Sequence, residues 1–342
     1  MDINFLNRKS KVALKLEDLF SRFGFDKYTM NRFETYAFYL ENEKFLADSR
    51  VITLQGAGGK ILALKPDVTM SIVKNYNMLG MNKIYYNEPI FKVPHGENEF
   101  REIHQIGIEY IGELDTYQTV EVLNLAVKSL KMIGEDYRLC ISQVGIIRKI
   151  LHKLELSSVE TIIKYLRQKN IHDLSAYLEK IGKQSYIKIF EILISINGDF
   201  KTSINQLLEE DLFKEYNTYL EELYNIAQIL EEVVDYKKIS FDFNHISSTE
   251  YYNDLIFTGY VKGISTPILS GGRYDNLLYK MDIKDKSALG FAVNLSEINK
   301  LEDTRAVLRK KIVNDKSPLE MIQEANRLFE AGESFVVIRK DE

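Results

Sequence analysis

Apolar residues recur at helical spacing near the start of the chain, where Val12, Leu16, Leu19, Phe20 and Phe23 share one face and Gly24 stops the run. This predicts a first amphipathic helix. The period then shortens: RVITLQ (50–55) and KILALK (60–65) flank GAGG (56–59), as two strands of a hairpin would. A helix is expected to open at Pro66-Asp67 with Thr69 in its first turn, followed by strands over KIYYNEPIFKV and EIHQIGIEYIG. Asp115 starts a helical pattern over 115–133, with Val120, Leu123, Val127 and Leu130 on one side. Ser157 and Glu160 have capping-box spacing and introduce a helical stretch to about residue 235, rich in Leu, Ile, Glu and Lys. Strand and turn character returns in FDFNHISSTEYYNDLIFTGYVKG, TPILSGGRYDNLL and ALGFAVNLSEI; a helix over 318–331, a stop at Gly332 and a strand over FVVIRK close the chain. Strand runs interrupted by helices without regular βαβ alternation predict an α+β fold on a mainly antiparallel sheet flanked by helices. The expected organisation is a core over 1–300 with a helical insertion at about 155–235, then a short α/β tail over 301–342.

Within residues 90–112, period-two alternation places Arg101, Gln105, Gly107 and Glu109 on one face and His104, Ile106, Ile108 and Tyr110 on the other. The first face suits a pocket floor, because Gly107 leaves room beside an amide and a carboxylate that can hold an ammonium or imidazole group. The same alternation also suits an ordinary antiparallel strand with one solvated face.

The 45% hydrophobic content over 342 residues is enough for one sizeable core. A single cysteine, Cys140, excludes an internal disulfide and a multi-cysteine metal site, and fits a reducing cytoplasm. MDINFLNRKSK offers no apolar opening run, so neither a signal peptide nor a membrane span is expected. The net charge of −5 gives no overall attraction to nucleic acid; Arg309, Lys310 and Lys311 form one basic cluster, read as a solvated helix surface. GAGGK (56–60) is too short for a phosphate loop, and Ile61 stands where a hydroxyl residue is needed.

Five blocks together carry a resemblance: LKPDVT (64–69), residues 90–112, EYYNDLIF (250–257), SGGRYDNLL (270–278) and ALGFAVNLSEI (288–298). In this order, across roughly residues 10–300, they resemble the class II histidyl-tRNA synthetase catalytic fold. That resemblance implies a histidine pocket built from Asp67, Thr69, Gln105, Glu109, Tyr251 and Tyr252.

The departures concern arginines that hold ATP phosphates and stabilise charge during adenylation in that family. The motif-two Phe-Arg pair reads Phe91-Lys92, and the glutamate expected just beyond falls near Val93 or Pro94. Another family arginine aligns with Glu99, although Arg101 persists. The arginine of the RGLDYY block is Ser247, the motif-three arginine is Glu297, and the motif-one proline is Asn31. At roughly 4 Å and an effective dielectric near 20, a unit-charge contact is worth about 4 kcal/mol, so arginine to glutamate reverses a term of roughly twice that size. Micromolar to millimolar binding totals only about 4–8 kcal/mol. Lys92 keeps a charge but loses bidentate geometry. A one-residue shift in alignment would instead make Glu297 an exposed helical residue.

A histidine-shaped pocket beside a degenerate adenylation site is similar to the regulatory subunit of ATP phosphoribosyltransferase, a synthetase paralogue without an anticodon-binding domain. The short stretch after Lys300 fits that likeness. The resemblance implies no catalytic residue and no cofactor in this chain. Its implied partner is a short-form catalytic subunit that, with Mg²⁺ at its own site, transfers phosphoribosyl from phosphoribosyl pyrophosphate to ATP in the first step of histidine biosynthesis. It further implies self-association as a dimer within a hetero-octamer, histidine as feedback effector, and neither tRNA nor a membrane as partner. A catalytic histidyl-tRNA synthetase and a free-standing histidine-binding module are the other two readings.

Overall fold

A computed structural model describes residues 6–46, 50–93, 98–244, 251–301, 310–314, 317–333 and 335–339. Helix α1 (Arg8–Arg22) buries Val12, Leu16, Leu19 and Phe20, and Gly24 just beyond it takes φ +79°. It is followed by β1 (Asp26–Lys27), β2 (Phe33–Thr35), α2 (Tyr36–Glu41), β3 (Thr53–Gln55), β4 (Ile61–Leu64), α3 (Thr69–Leu79), β5 (Lys83–Lys92) and β6 (Arg101–Gly112). Helix α4 (Thr116–Ile133) leads to β7 (Tyr137–Gln143) and then to α5 (Val144–Lys153), α6 (Glu160–Arg167), α7 (Ile171–Lys180) and α8 (Ile187–Ser195). Next come β8 (Asn197–Gly198), α9 (Phe200–Glu209), α10 (Asn217–Val233), β9 (Ile239–Asp242), β10 (Leu255–Val261), β11 (Leu269–Arg273), α11 (Asp275–Lys280) and β12 (Ser287–Asn294). The last elements are β13 (Lys310–Asn314), α12 (Pro318–Glu330) and β14 (Phe335–Arg339).

Among the described residues, nine strands form one sheet in the order β1-β5-β6-β12-β11-β10-β7-β9-β8. Its pairings are antiparallel except β1 with β5 and β7 with β9. This is the mainly antiparallel α+β architecture expected from the sequence. Odd and even positions of β6 face different cores, as strand geometry requires. Ile106, Ile108 and Tyr110 join α1, α4 and the helices after β7 in the larger core. The opposite face of the sheet meets a smaller core around Val68, Met70, Tyr86 and Tyr274. Strands β2, β4 and β3 make a separate three-stranded sheet. Val12–Leu301 is one compact unit, and the segment from Glu302 contributes to another, in which β13 and β14 pair in parallel.

Several local expectations need correction. Ser157 and Glu160 form no capping box: α6 has Val159 at its N-cap without a side-chain bond, and Ser158 Oγ accepts weakly from the Glu160 N–H at 3.4 Å. Helical structure begins earlier, with α5 directly after β7, where Gln143 Oε1 accepts from the Gly145 N–H at 2.9 Å. Helix α3 starts at Thr69, two residues later than expected, because Asp67 stays outside and accepts from the Met70 N–H at 2.8 Å. Lys310 and Lys311 lie in a strand, not on a helix. At Asp115, the expected start of α4, the structure shows a capping box with Gln118 as its second member. Among the described residues no helix is long and apolar enough to cross a membrane.

Candidate functional site

The site is built on a row of cross-strand neighbours, Ile84, Glu109, Gly290 and Gly272, from β5, β6, β12 and β11. A side chain on Gly290 would overlap the Glu109 carboxylate, so only glycine there lets that side chain lie across the sheet. Gly272 does the same for Tyr252, whose ring carbon sits 2.8 Å from where a Cβ would be. In the next row Tyr86 faces Gly107, and the Tyr86 hydroxyl lies 2.7 Å from a Cβ position on that glycine. The room expected at Gly107 for a ligand is therefore filled by Tyr86.

Glu109 is 2% exposed, which rules out the solvated-face alternative at this end of β6. Thr69 Oγ1 donates to Glu109 Oε1 at 2.6 Å, and the Tyr274 hydroxyl donates to Oε2 at 2.6 Å. Thr69 is in place because it opens α3, and Tyr274 because it sits between β11 and α11, its N–H bonded to the Ala288 carbonyl at 2.9 Å. Burial pushes the Glu109 carboxyl up to about 8; the two hydroxyl bonds oppose that shift and the Asp67 charge adds to it. Burial also raises Asp67, against the Met70 and Thr69 N–H groups and the Lys92 charge. Unliganded at neutral pH, Glu109 is thus mostly a neutral acid, and a cationic ligand would draw out its carboxylate.

Tyr251 and Tyr252 stand edge to face with ring centroids 4.8 Å apart, and Tyr251 lies 6.0 Å from the Tyr274 ring. Burial, with the Asp67 and Glu109 charges, raises both hydroxyls above the ordinary tyrosine value. Asp67, Thr69, Glu109, Tyr251 and Tyr252 thus form one cluster. Gln105 stands apart, half-buried and opposite Glu88 and Asn294, about 13 Å along the strand from Glu109 at 3.3 Å per residue. Tyr86 and Tyr274 belong to the cluster but were not picked out from the sequence. Tyr274 lies inside the SGGRYDNLL block, while Tyr86 is one of two adjacent tyrosines that only the pairing with Gly107 tells apart.

Along the same face, Lys92 and Arg101 are cross-strand partners at the far end of the β5–β6 hairpin. Glu297 opens a short 3₁₀ turn (Glu297–Lys300) but is not exposed: its side chain is 18% exposed, accepts from Thr266 Oγ1 at 2.8 Å and from Lys300 Nζ at 2.6 Å, and feels the Arg101 charge. Burial works to raise its pKa, but the Lys300 and Thr266 hydrogen bonds and the Lys300 and Arg101 charges outweigh burial and hold it below the usual glutamate value, so the group is anionic. Ser247 and Pro94 lie outside the described residues.

The histidyl-tRNA synthetase family model matches residues 4–298. An ATP phosphoribosyltransferase regulatory subunit of Clostridium novyi is 31% identical over 87% of this chain and 73% of its own length. A histidine–tRNA ligase of Methanocaldococcus jannaschii is 29% identical over 86% and 71%. Among solved structures, an ATP phosphoribosyltransferase regulatory subunit/histidyl-tRNA synthetase from Bacillus halodurans superposes with TM-score 0.79 at 21% identity, covering 98% of this chain and 89% of that one. The chain in the ATP phosphoribosyltransferase (HisG:HisZ) complex of Thermotoga maritima does so with TM-score 0.64 at 18% identity, covering 85% and 98%. These structures share the fold, and with the family match and the relatives in hand, the chain belongs to the histidyl-tRNA synthetase family, in the part of it that includes the regulatory subunits of ATP phosphoribosyltransferase.

Proposed function

We propose that this chain is a non-catalytic regulatory subunit of an ATP phosphoribosyltransferase and that it binds free histidine in the Glu109 cluster as a feedback signal. The observation that carries the reading is a contrast along one sheet face. At one end, Glu109, Thr69 and Tyr274 form a closed hydrogen-bonded set next to Asp67. At the other, an anionic Glu297 stands in the field of Arg101, at the position the resemblance aligns with the family's triphosphate-binding arginine, and Lys92 stands where it aligns a bidentate arginine. A buried acid beside hydroxyl donors suits a cationic amino-acid ligand, whereas Glu297 repels a polyphosphate. The names of the bacterial relatives and the HisG:HisZ complex support an ATP phosphoribosyltransferase catalytic subunit as partner. Feedback requires histidine to bind two states of the assembly with different affinity.

A synthetase reading draws on the ligase relative. Histidine-dependent exchange of pyrophosphate into ATP separates the two. The purified chain should show no exchange while co-purifying with a short catalytic subunit; robust exchange that Glu109→Ala abolishes would overturn the regulatory reading.

A further inference from the structure

Helix α2 lies against β4, and its Tyr39 is 1% exposed, in the same small core as Val68 and Met70 with Tyr251 and Tyr252 packed at its margin. The ring packs edge to face on Phe38 at 5.2 Å. Its hydroxyl has no hydrogen-bond partner among the described residues. A buried hydroxyl without a partner is costly, and phenylalanine would fill the same space without that cost. The carboxylates acting on it are Asp67 first and Glu34 second. Glu34 is already committed to Lys74 Nζ at 2.7 Å and to the Thr35 N–H at 2.7 Å. The unpaired hydroxyl thus feels Asp67, which belongs to the cluster that holds Thr69, Glu109 and Tyr274, more strongly than it feels Glu34.

We propose that Tyr39 contacts the ligand directly, its hydroxyl oxygen accepting a hydrogen bond from the ammonium group of the bound amino acid at the Asp67 corner. This rests on the reading of the cluster as a histidine pocket. The Asp67 carboxylate, whose charge acts on the hydroxyl, favours a cation there, and a phenol oxygen accepts readily from an ammonium N–H. The division of labour follows: Glu109 and its hydroxyl donors take the imidazole, and Tyr39 with Asp67 takes the amine.

Calorimetric titration of wild type and Tyr39→Phe with histidine, histamine and 3-(imidazol-4-yl)propionate tests this, alongside thermal unfolding of both proteins. Tyr39→Phe should weaken histidine and histamine roughly tenfold, equivalent to about 1.4 kcal/mol. It should leave the affinity for imidazolylpropionate, which lacks the amine, unchanged, and the unliganded protein should unfold at the same or a higher temperature. Equal histidine affinity in the two proteins overturns the inference, as does the same loss for all three ligands, which would mark a packing effect. No uptake of histidine by wild type would remove the pocket reading itself, and the inference with it.

Discussion

Replacing Glu109 by glutamine keeps the side-chain volume and both hydroxyl contacts within reach, since Thr69 and Tyr274 can each turn to accept from or donate to an amide. What disappears is the capacity for charge. A hydrogen bond to a charged group is worth about 1.5–3 kcal/mol, so histidine affinity should fall roughly tenfold or more. The pH dependence is the sharper signature. Free Glu109 titrates at about 8, while histidine's imidazole ordinarily titrates near ~6.5. Between those values the neutral acid and neutral imidazole combine into an ion pair with no net proton exchange. Below that window the complex must release a proton, and above it must take one up, so wild-type affinity should plateau from roughly 6.5 to 8 and decline on both sides. Glutamine removes the decline above 8 that belongs to Glu109. Stability gives an independent check. Because the folded-state value lies above the unfolded one, the unfolded chain loses its proton first, and wild-type stability falls as pH rises from 4.5 to about 8, then levels. At about 1.4 kcal/mol per unit the upper bound is about 5 kcal/mol. Glu109→Gln should therefore gain on wild type through that window in urea unfolding series. Unchanged histidine affinity in a folded Glu109→Gln protein would refute the pocket reading and leave Asp67, Thr69, Gln105 and Glu109 as inherited architecture.

Gly290→Ala should cost histidine binding more than tenfold, because its methyl group overlaps the Glu109 carboxylate; isothermal titration at an unchanged circular dichroism spectrum checks this. Glu297→Arg alone should restore no pyrophosphate exchange, since Lys92 and Ser247 still differ from the synthetase pattern; measurable exchange in that variant would show that one charge had silenced the site.

The parts of the fold legible in the sequence are those whose period is unambiguous. Helix α1, the β3–β4 hairpin and α4 with its start at Asp115 follow from apolar spacing and turn signals. Helix α5 was hidden because it follows β7 with no turn residues, its Val144, Ile146, Ile147 and Ile150 continuing the strand's apolar run. Strands β1 and β2 are two and three residues long, too short for any period. In the site, Glu109 and Thr69 were carried by the family resemblance, but Tyr86 depends on register: its neighbour Tyr85 faces Phe20 in the other core, and only the pairing with Gly107 decides which of the two looks inward. The closing of Gly107 by that ring was likewise invisible without the cross-strand partner.

The most direct test of the central claim is phosphoribosyl transfer from phosphoribosyl pyrophosphate to ATP by a short catalytic subunit, titrated with this chain in the presence and absence of histidine. The account predicts a rate that rises with added chain and falls with added histidine, with Glu109→Gln keeping the activation and losing the inhibition. A catalytic subunit equally active alone, or inhibition by histidine that Glu109→Gln leaves intact, would contradict it.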